Sequence, residues 1–269
     1  MPETSADTPQ HSIDADSLKT ALAAHARHFV LDVRPSCISS NTLLADAAEQ
    51  GAAHCTVLVC GEQTGGRGRR GRIWHSVAGG SLTFSLLWRF EPGAPPPMGL
   101  SLAVGVAVAQ ALEALGARGV TLKWPNDLLL DGAKLGGILV ELVPGVGTIP
   151  GAVIGIGLNL RLPAGFDAAA DYPVADLAAA LPVLPSPDVL LARILIELHE
   201  VLTRFAALGF AAARDAWTAR NAFQGAQVRL LAEQHALAGR CVGVDSDGAL
   251  LLQTPEGVQL VLSGDVSQR

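Results

Sequence analysis

The sequence predicts a mixed α+β domain followed by a small β-barrel. The chain has 269 residues, 49% of them hydrophobic and 16% charged. That composition supports a sizeable core and a globular chain over most of its length. Segments with helical spacing alternate with short apolar runs of strand character as far as residue 223. From residue 224 onward only short strands are read, punctuated near Gly239, at Asp247-Gly248 and at Glu256-Gly257. This spacing suits a barrel of about 45 residues. The organisation expected is an extension over 1–29 with one helix, a main domain over 30–223 and a barrel over 224–269.

The first fifteen residues are polar and predict disorder. Asp16 or Ser17 is placed to cap a helix over L-K-T-A-L-A-A-H-A-R-H-F. A strand over 29–33 follows, then a helix over 40–50 closed by Gly51. Strands are expected at 54–61 and 81–90, and a helix at 98–115 closed by Gly116. Three strands follow at 120–123, 128–130 and 134–142, the last two joined by the hairpin signal Asp131-Gly132. A turn is expected over 144–150, a strand over 152–160 and a mobile loop over 161–173. Helices are read at 188–208 and 210–219.

The net charge of −6 disfavours a general nucleic-acid binder, which needs basic surface against phosphates. The cysteines, Cys37, Cys55, Cys60 and Cys241, contain no C-x-x-C pair and read as buried thiols of a cytoplasmic protein. The N-terminus lacks the layout of a secretory signal. The apolar run at 99–109 is well short of the roughly 20 residues that span a bilayer. The histidines show no metal-ligand spacing, so no structural metal is expected.

Residues 63–74 read Q-T-G-G-R-G-R-R-G-R-I-W. Glycines let backbone approach a ligand closely, and the interleaved Arg67, Arg69, Arg70 and Arg72 offer planar donors to phosphate or carboxylate. The segment predicts a loop that wraps an anionic, nucleotide-derived ligand. Gly66, Gly68 and Gly71 satisfy G-x-G-x-x-G, but I-W-H-S-V-A-G-G follows where a dinucleotide fold needs a helix. No G-K-[ST] follows, so it is not a P-loop. A solvated surface loop or an RNA-binding patch is the plainer reading of the same charges.

Residues 123–142 read K-W-P-N-D-L-L-L-D-G-A-K-L-G-G-I-L-V-E-L. Pro125-Asn126-Asp127 breaks a strand and brings polar groups to the mouth of a sheet. Gly136-Gly137 weakens a strand and points to a close neighbour. The chain has three lysines, and Lys123 and Lys134 both fall here. A compact ammonium suits a point contact with phosphate. Against these stand plainer roles: a snorkelling strand end for Lys134, and a turn residue for Asp127.

The order and spacing of G-R-G-R-R-G-R-I-W, K-W-P-N-D-L, K-L-G-G-I-L-V-E and G-I-G-L-N-L resemble the biotin protein ligase family, also called biotin–[acetyl-CoA-carboxylase] ligase, from about Val33 to the C-terminus. The resemblance implies a catalytic domain of the biotin/lipoate ligase type, class II synthetase-like, with an SH3-like barrel. It implies activation of biotin with ATP and Mg²⁺ to biotinyl-5′-AMP, then transfer to a lysine of a biotin carboxyl carrier protein of acetyl-CoA carboxylase. Ser39, Ser40 and Asn41 are similar to the family's S-T-N biotin contact; Ile38 stands where the family has Asp, and Ser40 replaces Thr. Ser39 or Ser40 also reads as a helix N-cap. By the same resemblance, Gln63, Arg67, Gly68, Arg69, Lys134, Gly137, Gly155 and Gly157 surround biotin. Arg69, Arg72, Trp74, Asn159 and Arg269 surround the adenylate. Lys134 and Arg67 are the expected catalytic cations, and Asp127 is the expected group to orient or deprotonate the acceptor lysine.

Some family members carry an N-terminal helix-turn-helix. About 30 residues precede the first strand here, too few for that module, so a monofunctional ligase without DNA binding is expected, as a monomer or homodimer. Two rivals remain open: a lipoate or octanoate protein ligase, and a ligand-responsive nucleic-acid regulator.

Overall fold

The computed structural model describes residues 13–91, 94, 96–144, 151–166, 173–231 and 236–268. The disorder expected over 1–15 and the turn over 144–150 lie mostly outside these residues, the loop over 161–173 lies partly outside them, and Arg269 lies wholly outside them.

The main sheet has seven strands: β1 (Val30–Arg34), β2 (Thr56–Cys60), β3 (Ser81–Arg89), β4 (Val120–Lys123), β5 (Asp127–Leu130), β6 (Ala133–Val143) and β7 (Gly151–Asn159). Their spatial order is β1-β2-β3-β7-β6-β5-β4. The β1–β2 pair is parallel and the other pairs are antiparallel. The β5–β6 turn has Asp131 at φ 48° and Gly132 at φ 83°. Both lie in the left-handed region that a tight hairpin turn needs and that Asp and Gly tolerate.

Each face of this sheet is covered by helices. On one face lies α3 (Leu100–Ala114), apolar nearly all round and therefore buried between the sheet and α4 (Pro187–Leu208). Its Leu102, Val104, Val106, Val108 and Leu112 are at most 2% exposed, each burial contributing roughly 1.5–3 kcal/mol. On α4 packs α1 (Ala15–Leu22) through Leu18 and Leu22. The α1 cap is Asp14, which accepts the Ser17 N–H at 2.9 Å, so the helix starts earlier than the Asp16 or Ser17 cap expected. On the opposite face lies α2 (Ser40–Glu49), where Leu44 and Ala48 meet Leu58, Leu87 and Val153.

The helix expected over 210–219 is two pieces, a 3-10 turn (Phe210–Ala212) and α5 (Arg214–Thr218). Phe210 seats on Gly99, where a Cβ would lie 2.6 Å from its ring, while Trp217 is buried in the core. The chain bends at Ala213 between these two anchors.

The C-terminal part is a five-stranded antiparallel sheet of β8 (Gln227–Leu231), β9 (Ala236–Val244), β10 (Leu250–Thr254), β11 (Gly257–Val261) and β12 (Asp265–Gln268) in the order β11-β10-β9-β8-β12. The turn spacing predicts a small barrel; among the described residues the five strands form an open sheet, with β11 and β12 at its two edges. It is joined to the main domain by the Trp124 indole, which donates to the Gly248 carbonyl at 3.0 Å. Among the described residues no helix is long and apolar enough to cross a membrane.

Candidate active site

Glycine floors the site. Gly157 is paired with Gly137 of β6 and with Thr83 of β3, and Gly155 with Leu139 and Ser85. Side chains alternate across a strand, so Gly137, Gly155 and Gly157 leave one patch of the α2 face bare. A cavity of about 480 Å³ opens there, within the range of small-ligand pockets. Its wall contains fifteen of the sixteen residues expected from the sequence: Ser39, Ser40, Asn41, Gln63, Arg67, Gly68, Arg69, Arg72, Trp74, Asp127, Lys134, Gly137, Gly155, Gly157 and Asn159.

One end of the cavity is a hydrogen-bonded network of neutral side chains backed by the Glu141 carboxylate. Ser39 caps α2, its hydroxyl accepting the Thr42 N–H at 3.4 Å, and also lines the cavity, so the two readings of this residue coexist. The Ser40 N–H donates to Gln63 Oε1 at 2.7 Å. Ser85 donates to Asn41 Oδ1 at 2.6 Å, which leaves the Ser40 hydroxyl as the donor in its 2.7 Å contact with Ser85. The Asn41 amide donates to the Leu139 carbonyl at 3.2 Å and to Glu141 Oε2 at 2.9 Å. A Cβ on Gly155 would fall 2.2 Å from Asn41 Oδ1, so this approach requires glycine.

Behind this network the cysteine expectation is corrected. Cys37 and Cys60 form a disulfide, with Cα atoms 6.0 Å apart, while Cys55 and Cys241 are the buried thiols. Spacing alone could not reveal the pair, because the ends of β1 and β2 meet only once the parallel pairing forms. Burial pushes the Cys55 thiol up to about 12, as expected of an inert core cysteine.

The arginine-rich loop is a small internal hairpin. Gly68 N–H donates to the Arg72 carbonyl at 2.7 Å and Trp74 N–H to the Gly66 carbonyl at 2.9 Å. Arg67 forms an ion pair with Glu141 at 2.7 Å, and Arg69 donates to Asn126 Oδ1 at 3.3 Å. Arg72 and Arg70 converge on Asp265 of β12 at 2.5 and 3.5 Å. Thus the C-terminal sheet touches the loop. Trp74 lies against the glycine floor, where a Cβ on Gly157 would meet Cε2 at 2.3 Å. Its indole N–H is buried without a hydrogen-bond partner among the described residues.

At the other end, Lys134 Nζ lies 2.8 Å from Asp127 Oδ1, and Lys123 Nζ 3.8 Å from Oδ2. A regular strand would put Lys134 and Gly137, three positions apart, on opposite faces. The β5–β6 register shifts between Leu128 and Leu129, so Leu128 pairs with Gly136 and Leu129 with Lys134. This bulge brings Lys134 to the cavity side. Burial lowers the Lys123 pKa, and Asp127 opposes the shift. Burial likewise lowers that of Arg69. The Asn159 amide donates to the Ala175 carbonyl at 3.0 Å and the Lys134 carbonyl at 3.4 Å, fixing the adjoining backbone.

Sequence reading missed three residues that hold this site together, Ser85, Glu141 and Asp265, and gave Asn126 only a place in a strand break. Ser81, Thr83 and Ser85 are polar at alternate positions of a strand that is otherwise apolar as far as Trp88, a usable signal. Glu141 stands at the end of a segment already singled out. Asp265 carried no local signal.

Residues 35–159 match the model of the biotin/lipoate A/B protein ligase family, and residues 224–269 that of the biotin protein ligase C terminal domain. The chain is 36% identical over 207 residues to the bifunctional ligase/repressor BirA of Escherichia coli, a match covering 77% of this chain and 64% of that protein. It is 35% identical over 218 residues to a biotin–[acetyl-CoA-carboxylase] ligase of Paracoccus denitrificans, covering 76% of this chain and 87% of that one. A biotin protein ligase from Aquifex aeolicus in complex with biotin and ATP superposes with a TM-score of 0.76 at 29% identity, covering 89% of this chain and 98% of that chain.

Proposed function

The chain belongs to the biotin protein ligase family, and on that premise we propose that it joins biotin to ATP as biotinyl-5′-AMP and then to a lysine of a biotin carboxyl carrier domain. The observation that carries this reading is the polarity of the cavity: a neutral network at Ser40, Asn41 and Gln63, and cations at Arg67, Arg69 and Lys134.

The neutral end suits an uncharged ureido ring, with the glycine floor beneath the ligand. The cations of the cavity suit a carboxylate meeting a triphosphate, whose mutual repulsion Arg67, Arg69 and Lys134 offset. A biotin carboxylate oxygen attacks the α-phosphorus and pyrophosphate leaves. This step needs alignment and charge neutralisation rather than a protein nucleophile. Trp74, Asn159 and Arg72 line the cavity and would border the adenine. The acceptor amine then attacks the acyl carbon and AMP leaves, with Asp127 receiving or orienting the amine proton.

Mg²⁺ enters as part of the nucleotide substrate. Asp127 is already flanked by two lysines, and no cluster of three His, Cys, Asp or Glu among the described residues could hold a metal. Phosphate oxygens and water would therefore supply most of the coordination of such an ion. The proposal covers ligation alone. Biotin-dependent exchange of labelled pyrophosphate into ATP tests it. Exchange driven by lipoate or octanoate and not by biotin would replace this reading.

A further inference from the structure

We infer that Glu141 is a positioning residue, which presets the guanidinium of Arg67 against the neutral end of the cavity before ligand arrives. The inference rests on the biotin-ligase reading of the cavity and goes beyond it, because Glu141 itself does not line the cavity.

Glu141 is where two otherwise separate parts of the site meet. Its Oε2 accepts from the Asn41 amide at 2.9 Å and from Arg67 Nη2 at 2.7 Å, and its Oε1 accepts from the same Nη2 at 2.9 Å. One unbroken chain of polar contacts therefore runs Ser40, Ser85, Asn41, Glu141, Arg67. It starts on α2, crosses β3 and β6, and ends on the arginine-rich loop. Both bonds to Glu141 come from Nη2, so Glu141 does not engage the Nη1 and Nε donors of the fork. The geometry therefore holds the guanidinium without consuming the donors that a ligand anion needs.

The pair is a poor device for fold stability. Side-chain exposure is 32% for Glu141 and 47% for Arg67, and exposed ion pairs contribute roughly 0–1 kcal/mol. Its effect lies in the orientation of an arginine on a glycine-rich loop, whose freedom would otherwise be lost at binding.

The test measures biotin affinity by titration and amide exchange at residues 66–68 in ligand-free protein. The variants are Glu141→Gln and Glu141→Asp, each in the natural and the Arg67→Lys background. Expected are about tenfold weaker biotin binding in E141Q, partial rescue in E141D, and less than about twofold change when E141Q is added to R67K, as for two residues acting through one contact. Ligand-free exchange at 66–68 quickens in E141Q, while its unfolding midpoint stays near that of the natural protein. Unchanged biotin affinity in E141Q, or an equal loss in both backgrounds, overturns the inference. A natural protein that binds no biotin, while E141Q still loosens the loop, sinks the ligase reading and leaves the Glu141–Arg67 positioning standing.

Discussion

The Lys134 ammonium lies 2.8 Å from one carboxylate oxygen of Asp127, whose other oxygen faces Lys123 at 3.8 Å. One carboxylate thus holds two lysines at one end of the cavity. Lys134→Ala should lower pyrophosphate exchange by about 10²–10³, the scale for losing one charge-stabilising donor. Its unfolding midpoint should move by only a few degrees, since Asp127 keeps Lys123 beside it. Near-natural exchange in this variant would reassign the lysine.

Asp127→Asn separates two roles. As acceptor of the amine proton, Asp127 should matter most in transfer from preformed biotinyl-5′-AMP to the carrier, by about 10² or more. Pyrophosphate exchange should fall less. Equal losses in both reactions would make its role that of holding Lys134.

Gly155→Ala places a methyl 2.2 Å from the Asn41 side-chain oxygen, and Gly157→Ala places one 2.3 Å from the Trp74 ring. The first should weaken biotin binding and the second should raise the KM for ATP, each by at least about tenfold, because neither neighbour is the loose end of a flexible chain. Separate titrations with biotin and ATP distinguish the two. The same loss for both ligands from either change would mean general collapse of the cavity.

The loop over 65–74 should be cut readily by trypsin in free protein and protected when biotin and ATP are both present. Asp265→Asn, which removes the charge that Arg70 and Arg72 share, should speed cleavage of the free protein by a fewfold. Identical digestion rates throughout would mean that neither ligand nor β12 orders the loop.

Stability should fall on mild acidification. Burial, followed by the neighbouring histidines, lowers the His199 pKa from 6.5, and burial followed by Arg89 lowers that of His54. Both rings pack on Trp88. A base with a depressed folded pKa takes up protons more readily when unfolded, so stability is fully present above about pH 6.5 and declines as pH drops below it. Thermal unfolding between pH 7 and 5 should show this decline, and His199→Gln should flatten it. A flat profile for the natural protein would remove the histidines from the account.

The elements legible in the sequence were those with a strong local signal. The strands at 120–123 and 81–90, the Asp131-Gly132 turn and the largely apolar α3 needed only periodicity and turn chemistry. The long-range pairings were not legible. Glu141 meets Asn41 one hundred positions away, and Asp265 meets Arg72 across 193. Lys134 was singled out as a cation, but its aim into the cavity depends on a bulge that no residue type announces. The break at 210–219 likewise arises from seating Phe210 on Gly99, a contact between distant segments.

The Cys37–Cys60 bond closes residues 37–60 into a covalent ring that contains α2. The strand just before that ring, β1, is an outer edge of the sheet and has the exposed Val30 at its start. Edges are where proteins open locally at the least free energy. When β1 frays, the tether still holds the Ser39–Ser40–Asn41 turn beside Gln63. Such an excursion would break the hydrogen bonds of one parallel pair and leave the disulfide between the two ends intact.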